Sequence, residues 1–216
     1  MTNFDPTHHE RVQLAHDQLL KLGEISLSMA SIDRQIVYGW DRAEDDAQHS
    51  FHLGLSAMEM AASYHPELNV GLVAQFSYVH DLPEVYAGDT PSHGLTDQQR
   101  TEKEEREHKA KERLLEELPP HIADLLRRYE EQVEPEARFV RFIDKLLPSI
   151  MHAQIPAPNR AVLQREYGYT TANNLLVNRD ERTAKLREMF PEFNFIHIVR
   201  NLLAQTSRQR MFGTSE

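Results

Sequence analysis

Ionisable residues interrupt an apolar stretch in the segment AQFSYVHDLPEVYAGDTP, residues 74–91. His80 and Asp81 stand side by side there, and neither side chain is readily buried without a partner. An imidazole nitrogen next to a carboxylate oxygen suits a borderline or hard divalent cation. Glu84 lies four residues after His80, so a continuing helical turn would bring it to the same cavity, although Pro83 opposes that continuation. We therefore expect metal chemistry in this segment.

Two other segments offer candidate ligands. His49 stands near the start of DDAQHSFHLGLSAMEMAASY, a segment with an apolar stripe, and His52 is a weaker candidate because no HExxH pattern joins the two histidines. Asp144 is embedded in RFVRFIDKLLPSIM, where burial of its charge demands a cation or a strong donor. The alternative for Asp144 is a salt bridge to Arg141 or Lys145. Two imidazoles and two carboxylates would leave coordination positions for water and a substrate oxygen. The predicted metal ligands are His49, His80, Asp81 and Asp144.

The elements that carry these residues are predicted to be helices. Helical periodicity dominates the chain, and no run of alternating β-branched residues is long enough for a convincing strand. We expect an all-α fold with helices at about residues 7–30, 46–65, 68–81, 97–118, 120–131, 134–154, 159–189 and 192–206. Pro148 falls inside one of them, where it should kink or interrupt the helix or start a new one.

Composition limits the classes of function. The chain of 216 residues suits one domain, residues 1–216, and its formal charge of -10 argues against long nucleic acids as partners. The absence of cysteine excludes disulfides, thiolate metal sites and a cysteine nucleophile. No signal sequence and no apolar stretch approaching 18 residues is present, which predicts a cytoplasmic protein without a membrane span.

The order His49, His80-Asp81, Asp144 resembles the HD-domain metal-dependent phosphohydrolase superfamily over about residues 30–155. Within that superfamily, EVYAGDTP resembles the 5'-deoxynucleotidase branch. The resemblance implies a single HD-domain helical bundle with extra helices at both ends. It also implies that the four predicted ligands hold the metal, and that Glu84 and Asp89 handle the attacking water and the leaving group. Asp89 has the alternative of capping the turn after Gly88.

Basic residues are needed as anchors for an anionic substrate. The resemblance implies phosphate contacts from Arg34 and Arg42, which lie fifteen and seven residues before His49. Lys145 is a further candidate anchor, with a solvated helix residue as its alternative. Gln35 departs from the branch, which tends to carry a tryptophan at that position shaping the sugar pocket, so the sugar preference does not carry over.

The function expected from these residues is hydrolysis of a nucleotide phosphate with a divalent metal ion, either Mn, Co, Zn, Ni, Fe or Mg. Deoxynucleoside monophosphates are the first expected substrates. The alternatives are a dNTP phosphohydrolase of the same superfamily and a catalytically idle nucleotide-binding helical module. The resemblance also implies a homodimer.

Overall fold

The computed structural model of the protein describes residues 6–37, 43–89, 96–154 and 183–212. Its helices are α1 Pro6–Met29, α2 Asp46–Tyr64, α3 Val70–Val79, α4 Glu84–Ala87, α5 Asp97–Glu117, α6 Pro120–Glu131, α7 Pro135–Asp144, α8 Leu147–Gln154 and α9 Asn194–Phe212. Residues 183–189 are also helical. The strands are β1 Asp33–Val37 and β2 Ala43–Asp45. The predicted all-α fold is confirmed.

Helix starts follow the local sequence closely. α2 begins after Asp45, whose side chain accepts a hydrogen bond from the backbone amide of Gln48 in a complete capping box. α5 begins in the same way after Thr96, with Gln99 as its partner. α6 and α7 each begin with a proline, which has no amide hydrogen to leave unpaired at that position. These signals explain why the predicted boundaries lie close to the observed ones.

The predicted single helix over residues 134–154 is wrong in detail, because the structure divides it into two. α7 ends at Asp144, and α8 begins at Leu147 with Pro148 as its second residue. A proline is tolerated in the first turn of a helix but not in its interior, so Pro148 starts a new helix. The break leaves Asp144 at a helix end. The predicted helix over residues 159–189 lies largely outside the described residues, and α9 extends beyond the predicted end at residue 206.

The sequence does not predict the short antiparallel hairpin formed by β1 and β2. Asp33 pairs with Asp45, and Val37 pairs with Ala43. β2 has the sequence Ala-Glu-Asp, which lacks the β-branched alternation of a recognisable strand. The hairpin leads directly into α2, so it brings β1 to the helix end that carries His49.

The core lies where α2, α3, α6 and α7 pack together. α3 contacts α2, α6 and α7, and α2 also contacts α7. The largest fully buried apolar side chains in this core and beside it are Phe76, Phe139, Phe142, Phe190, Leu53, Leu114, Leu126, Ile143, Leu147 and Ile196. α1 contacts α4 and α2, while α9 packs against α8. Among the described residues, no helix is both long and apolar enough to cross a membrane.

Candidate metal centre

The ends of α2 and α3 bring three of the predicted ligands together. Ligand atoms of His49, His80 and Asp81 all lie within 4.8 Å of one another. His80 Nε2 lies 2.9 Å and His49 Nε2 lies 3.7 Å from Asp81 Oδ2. Both imidazoles are buried, and their ring centroids are 5.3 Å apart. The fold therefore brings His49 and His80 together, although they are 31 positions apart in the sequence.

The orientation of His80 suits a metal ligand. Its Nδ1 donates a hydrogen bond of 2.9 Å to the backbone carbonyl of Ser77, one turn earlier. That bond fixes the orientation of the ring and leaves Nε2 as the nitrogen available to bind a metal. Nε2 is buried without a hydrogen-bond partner among the described residues. Its 2.9 Å contact with Asp81 Oδ2 puts an imidazole nitrogen beside a carboxylate oxygen, the pair of donors that a borderline or hard divalent cation would bind.

His49 lies between two carboxylates. Its Nε2 donates to Asp144 Oδ1 over 3.0 Å, and its Nδ1 lies 3.4 Å from Glu44 Oε2. Burial lowers the pKa of His49, but the hydrogen bonds to Asp144 and Glu44 outweigh it and raise the pKa to about 9. A proton on His49 thus balances carboxylate charge in this structure, which is the task that a divalent cation performs when bound to the same atoms.

Asp144 joins this group through His49, and Lys145 covers its other oxygen. Lys145 Nζ lies 2.7 Å from Asp144 Oδ2, while the Lys145 side chain remains about half exposed. Burial raises the pKa of Asp144, but the charges of Lys145 and His49 hold it well below its ordinary value. The structure therefore contains the salt bridge that the sequence offered as an alternative, beside the contact with His49. The roles of Asp144 as ligand and Lys145 as phosphate anchor remain predictions.

Arg34 on β1 contacts the carboxylates of the centre. Its Nη1 donates to Asp81 Oδ2 over 2.8 Å and to Asp46 Oδ1 over 2.9 Å, while Nε lies 3.7 Å from Glu44 Oε2. Burial disfavours its charge, but the surrounding carboxylates raise the pKa of Arg34 above its ordinary value. The predicted phosphate anchor is thus already engaged with a ligand carboxylate. A second predicted anchor, Arg42, lies outside the described residues.

Glu84 reaches the centre from α4, the short helix that follows the His80-Asp81 pair. Residues 80–83 form a turn, and α4 starts directly after Pro83, so the proline does not prevent the helical geometry at Glu84. Burial raises the pKa of Glu84 to about 9, with further contributions from the charges of Asp81, Asp46 and Asp89. Oε2 of Glu84 and Oδ2 of Asp46 are both buried without a hydrogen-bond partner among the described residues.

Asp89 follows the end of α4. The helix ends at Gly88, whose φ of 69° favours glycine, and the Gly88 amide donates to the Glu84 carbonyl over 2.7 Å. Asp89 is half-buried, and its charge acts on Glu84. It therefore lies near the predicted proton-transfer group, and its own role remains a prediction.

Two buried acids of this centre, Glu44 and Asp46, were not predicted from the sequence. Both are fully buried, and they connect to His49 and Arg34. In the sequence they belong to the polar run AEDDAQH, which resembles an ordinary helix start. The only signal was the density of acids directly before a histidine in an apolar helix. Contact with Arg34 depends on the hairpin, which the sequence does not predict.

The donors and charges of the centre fit a divalent cation. Nitrogen and oxygen donors without sulfur suit borderline to hard metals. The contacts above connect four acids, Glu44, Asp46, Asp81 and Asp144, with two cationic side chains, Arg34 and Lys145. A proton on His49 supplies part of the missing positive charge in this structure, and a divalent cation would supply it when bound.

Comparison with known proteins agrees with this chemistry. Residues 31–176 match the model of the HD domain, so the chain belongs to the HD-domain family. A predicted metal-dependent phosphohydrolase from Magnetospirillum magnetotacticum MS-1 has a similar structure, with a TM-score of 0.67 and 26% identity over 91% of this chain and 97% of that one. No protein of curated function matches the chain.

Two archaeal structures share the fold. A protein from Pyrococcus horikoshii OT3 has a TM-score of 0.58 and 21% identity over 87% of this chain and 99% of its own. A conserved hypothetical protein from Pyrococcus furiosus has a TM-score of 0.56 and 20% identity over 88% of this chain and 99% of its own. The family and the Magnetospirillum structure support a metal-dependent phosphohydrolase, in which the described cluster could hold the ion.

Proposed function

We propose that this metal-dependent phosphohydrolase acts on nucleotides, as a 5'-deoxynucleotidase that releases phosphate from deoxynucleoside monophosphates. The observation that carries the proposal is the position of Glu84, which is half-buried and close enough to the candidate ligand Asp81 for the charge of Asp81 to act on it. A carboxyl group in that position can exchange a proton with an attacking water. The sequence EVYAGDTP around it is the part of the chain that resembles the deoxynucleotidase branch.

In the proposed reaction, different residues of the chain have different roles. A divalent cation held by His49, His80, Asp81 and Asp144 would polarise a phosphoryl oxygen and lower the pKa of a nearby water and of Glu84. Glu84 accepts the proton of the water that attacks phosphorus. Asp89 is proposed to return a proton to the departing 5'-oxygen. Lys145, half exposed beside Asp144, is proposed to offset charge on the phosphoryl oxygens.

A screen of metal ions against nucleotides tests this function. The full-length protein is incubated with Mn²⁺, Co²⁺, Zn²⁺, Ni²⁺, Fe²⁺ or Mg²⁺ and with mono- and triphosphates of ribo- and deoxynucleosides, and products are separated by chromatography. Orthophosphate with a free deoxynucleoside, formed from monophosphates, is the expected result. Release of a polyphosphate from dNTPs would assign the alternative dNTP phosphohydrolase. Tight nucleotide binding without hydrolysis under any metal would show an idle binding module.

The proposal includes a cytoplasmic homodimer with no membrane or long nucleic acid as partner. Support for the dimer comes from α1, where Val12, Leu19, Leu20 and Leu27 are between 54% and 75% exposed. At helical spacing these four side chains share one side of α1, opposite the side that carries the buried Ile25. An apolar stripe of this kind is typical of a surface that packs against another helix.

A further inference from the structure

We propose that Asp46 is a positioning residue that acts through Arg34 on the candidate metal ligand Asp81. One guanidinium nitrogen, Arg34 Nη1, lies 2.9 Å from Asp46 Oδ1 and 2.8 Å from Asp81 Oδ2. The two carboxylates therefore share the same donor. The proposal rests on the metal site and not on the identity of the substrate.

The surroundings of Asp46 leave little freedom in this arrangement. Asp46 is fully buried at the first position of α2, where the capping box of Asp45 fixes the backbone. Antiparallel pairing of Asp33 with Asp45 holds β1 against the residues that lead into α2, and from there the Arg34 side chain reaches Asp46. A buried carboxylate without a compensating charge is costly, and Arg34 provides that charge. Asp46 and Arg34 thus hold each other in place across the hairpin.

The shared donor has a consequence for the metal. Oδ2 of Asp81 is the oxygen that lies within reach of both histidines, and it is also the oxygen that Arg34 binds. Because the Asp46 carboxylate shares Nη1 with Asp81, Arg34 orients Asp81 but offsets only part of the negative charge of Asp81. If the Asp46 charge is removed, Arg34 pairs with Asp81 alone and competes with a cation for that oxygen.

The first test compares two neighbouring substitutions of equal charge. We expect Asp46→Asn to weaken Mn²⁺ binding by about 10- to 100-fold, the range typical of groups that orient metal ligands. Asp45→Asn is the matched control, because it removes the same charge one residue away, and asparagine remains a good helix cap. The Mn²⁺ dissociation constant of each full-length protein is measured by titration calorimetry without any phosphate compound. Equal constants for wild type and Asp46→Asn overturn the proposal.

A double-mutant cycle then tests whether the effect passes through Arg34. In an Arg34→Gln background, Asp46→Asn should change the Mn²⁺ dissociation constant by less than about twofold, because the shared donor is already gone. An undiminished effect in that background would show direct action of the Asp46 charge and would overturn the relay. If Asp46→Asn does not fold, Asp46→Glu replaces it, since the longer side chain keeps the charge but displaces it from Arg34.

The same titrations separate this inference from the proposed function. Failure of the wild-type protein to bind Mn²⁺ would reject the metal site and the inference together. Binding of Mn²⁺ with the expected effect of Asp46→Asn, but without hydrolysis of any nucleotide, would reject the proposed function and support the inference.

Discussion

Substitutions of different residues in the centre should have different effects on metal binding and on turnover. Asp81 lies within reach of both histidines, whereas Glu84 stands beside the cluster on the following helix. Asp81→Ala should therefore lose both Mn²⁺ binding and turnover. Glu84→Gln should retain Mn²⁺ while kcat falls by about 10²- to 10⁴-fold, the range for a group that transfers a proton. Titration calorimetry and steady-state kinetics measure the two quantities.

Glu59→Gln provides the control for these variants, because Glu59 is exposed on α2 and accepts a hydrogen bond from the Ser63 hydroxyl of the same helix. It should match the wild type in both measurements. Full activity in either Asp81→Ala or Glu84→Gln would reject the assignment of the centre.

The residue types in the sequence predicted the candidate ligands of the centre but not the partners of Arg34. His80, Asp81, His49 and Asp144 stand out in the sequence because ionisable side chains in apolar helices need a partner when buried. The structure brings His49, His80 and Asp81 into one group and places Asp144 against His49, although the role of each as a ligand remains a prediction. The partners of Arg34 could not be predicted, since a surface contact and a buried one look alike in a sequence.

Among the secondary-structure elements, α4 is held in place by an ion-pair network. Glu117 at the end of α5 accepts hydrogen bonds from Lys21 of α1 and Tyr86 of α4, and from Arg113 within α5. Arg113 also stacks over the Tyr86 ring, 3.8 Å from its centroid. These contacts join three helices at the element that carries Glu84.

The network predicts a pH dependence of stability. Lys21, then Tyr86 and Arg113, lower the pKa of Glu117 to about 2 in the folded protein, from an ordinary value of 4.5. A lowered folded-state pKa stabilises the fold above the unfolded-state value, and that stabilisation is lost as pH falls from about 4.5 towards 2. Glu117→Gln should therefore be less stable than wild type at pH 7, by a margin that shrinks on acidification.

Thermal unfolding of both proteins across this pH range provides the measurement. Glu104→Gln, on the exposed surface of the same helix, is the control for the loss of one charge. A difference between wild type and Glu117→Gln that is constant with pH would contradict the assigned pKa.

Local signals explain which elements were predictable. Capping boxes and helix-starting prolines act over a few residues, so the sequence shows them directly. The hairpin of β1 and β2 depends on pairing between segments and on the burial of Glu44, and neither can be recognised from the residues of one segment. Pro148 was recognisable as a break, but its exact consequence was not.

For the whole molecule, aromatic packing joins α7, which ends at Asp144, to the C-terminal part of the chain. Phe142 of α7 stacks on Phe190 and Phe193, with centroid distances of 5.2 and 6.0 Å. Phe142→Ala should lower the free energy of unfolding by about 3–5 kcal/mol, as is typical for a buried phenylalanine. Phe195, which is 41% exposed, provides the control, and its alanine variant should cost less than about 1.5 kcal/mol.

Denaturation by urea measures both free energies. A loss for Phe142→Ala no larger than that for Phe195→Ala would show that the C-terminal part does not stabilise α7.

The assembly of the molecule gives a final prediction. If the apolar stripe of α1 forms the proposed homodimer, the double variant Leu19→Glu, Leu27→Glu should become a monomer, because it places four charges in the paired interface. Light scattering coupled to size-exclusion chromatography measures the mass. Leu14→Glu is the control, since Leu14 is exposed on the other side of α1. A monomeric wild type, or a double variant that stays dimeric, would contradict the proposed interface.

The sequence by itself determined the helical class, most helix starts and the candidate ligands, because periodicity, caps and buried ionisable residues act within short segments. Only the tertiary structure decided that Arg34 pairs with Asp81 and Asp46, and that Glu44 lies against His49. Those contacts depend on how the hairpin packs against α2 and α3. Charge compensation between segments is a property of the folded arrangement, so the sequence predicted where charge is buried but not which group balances it.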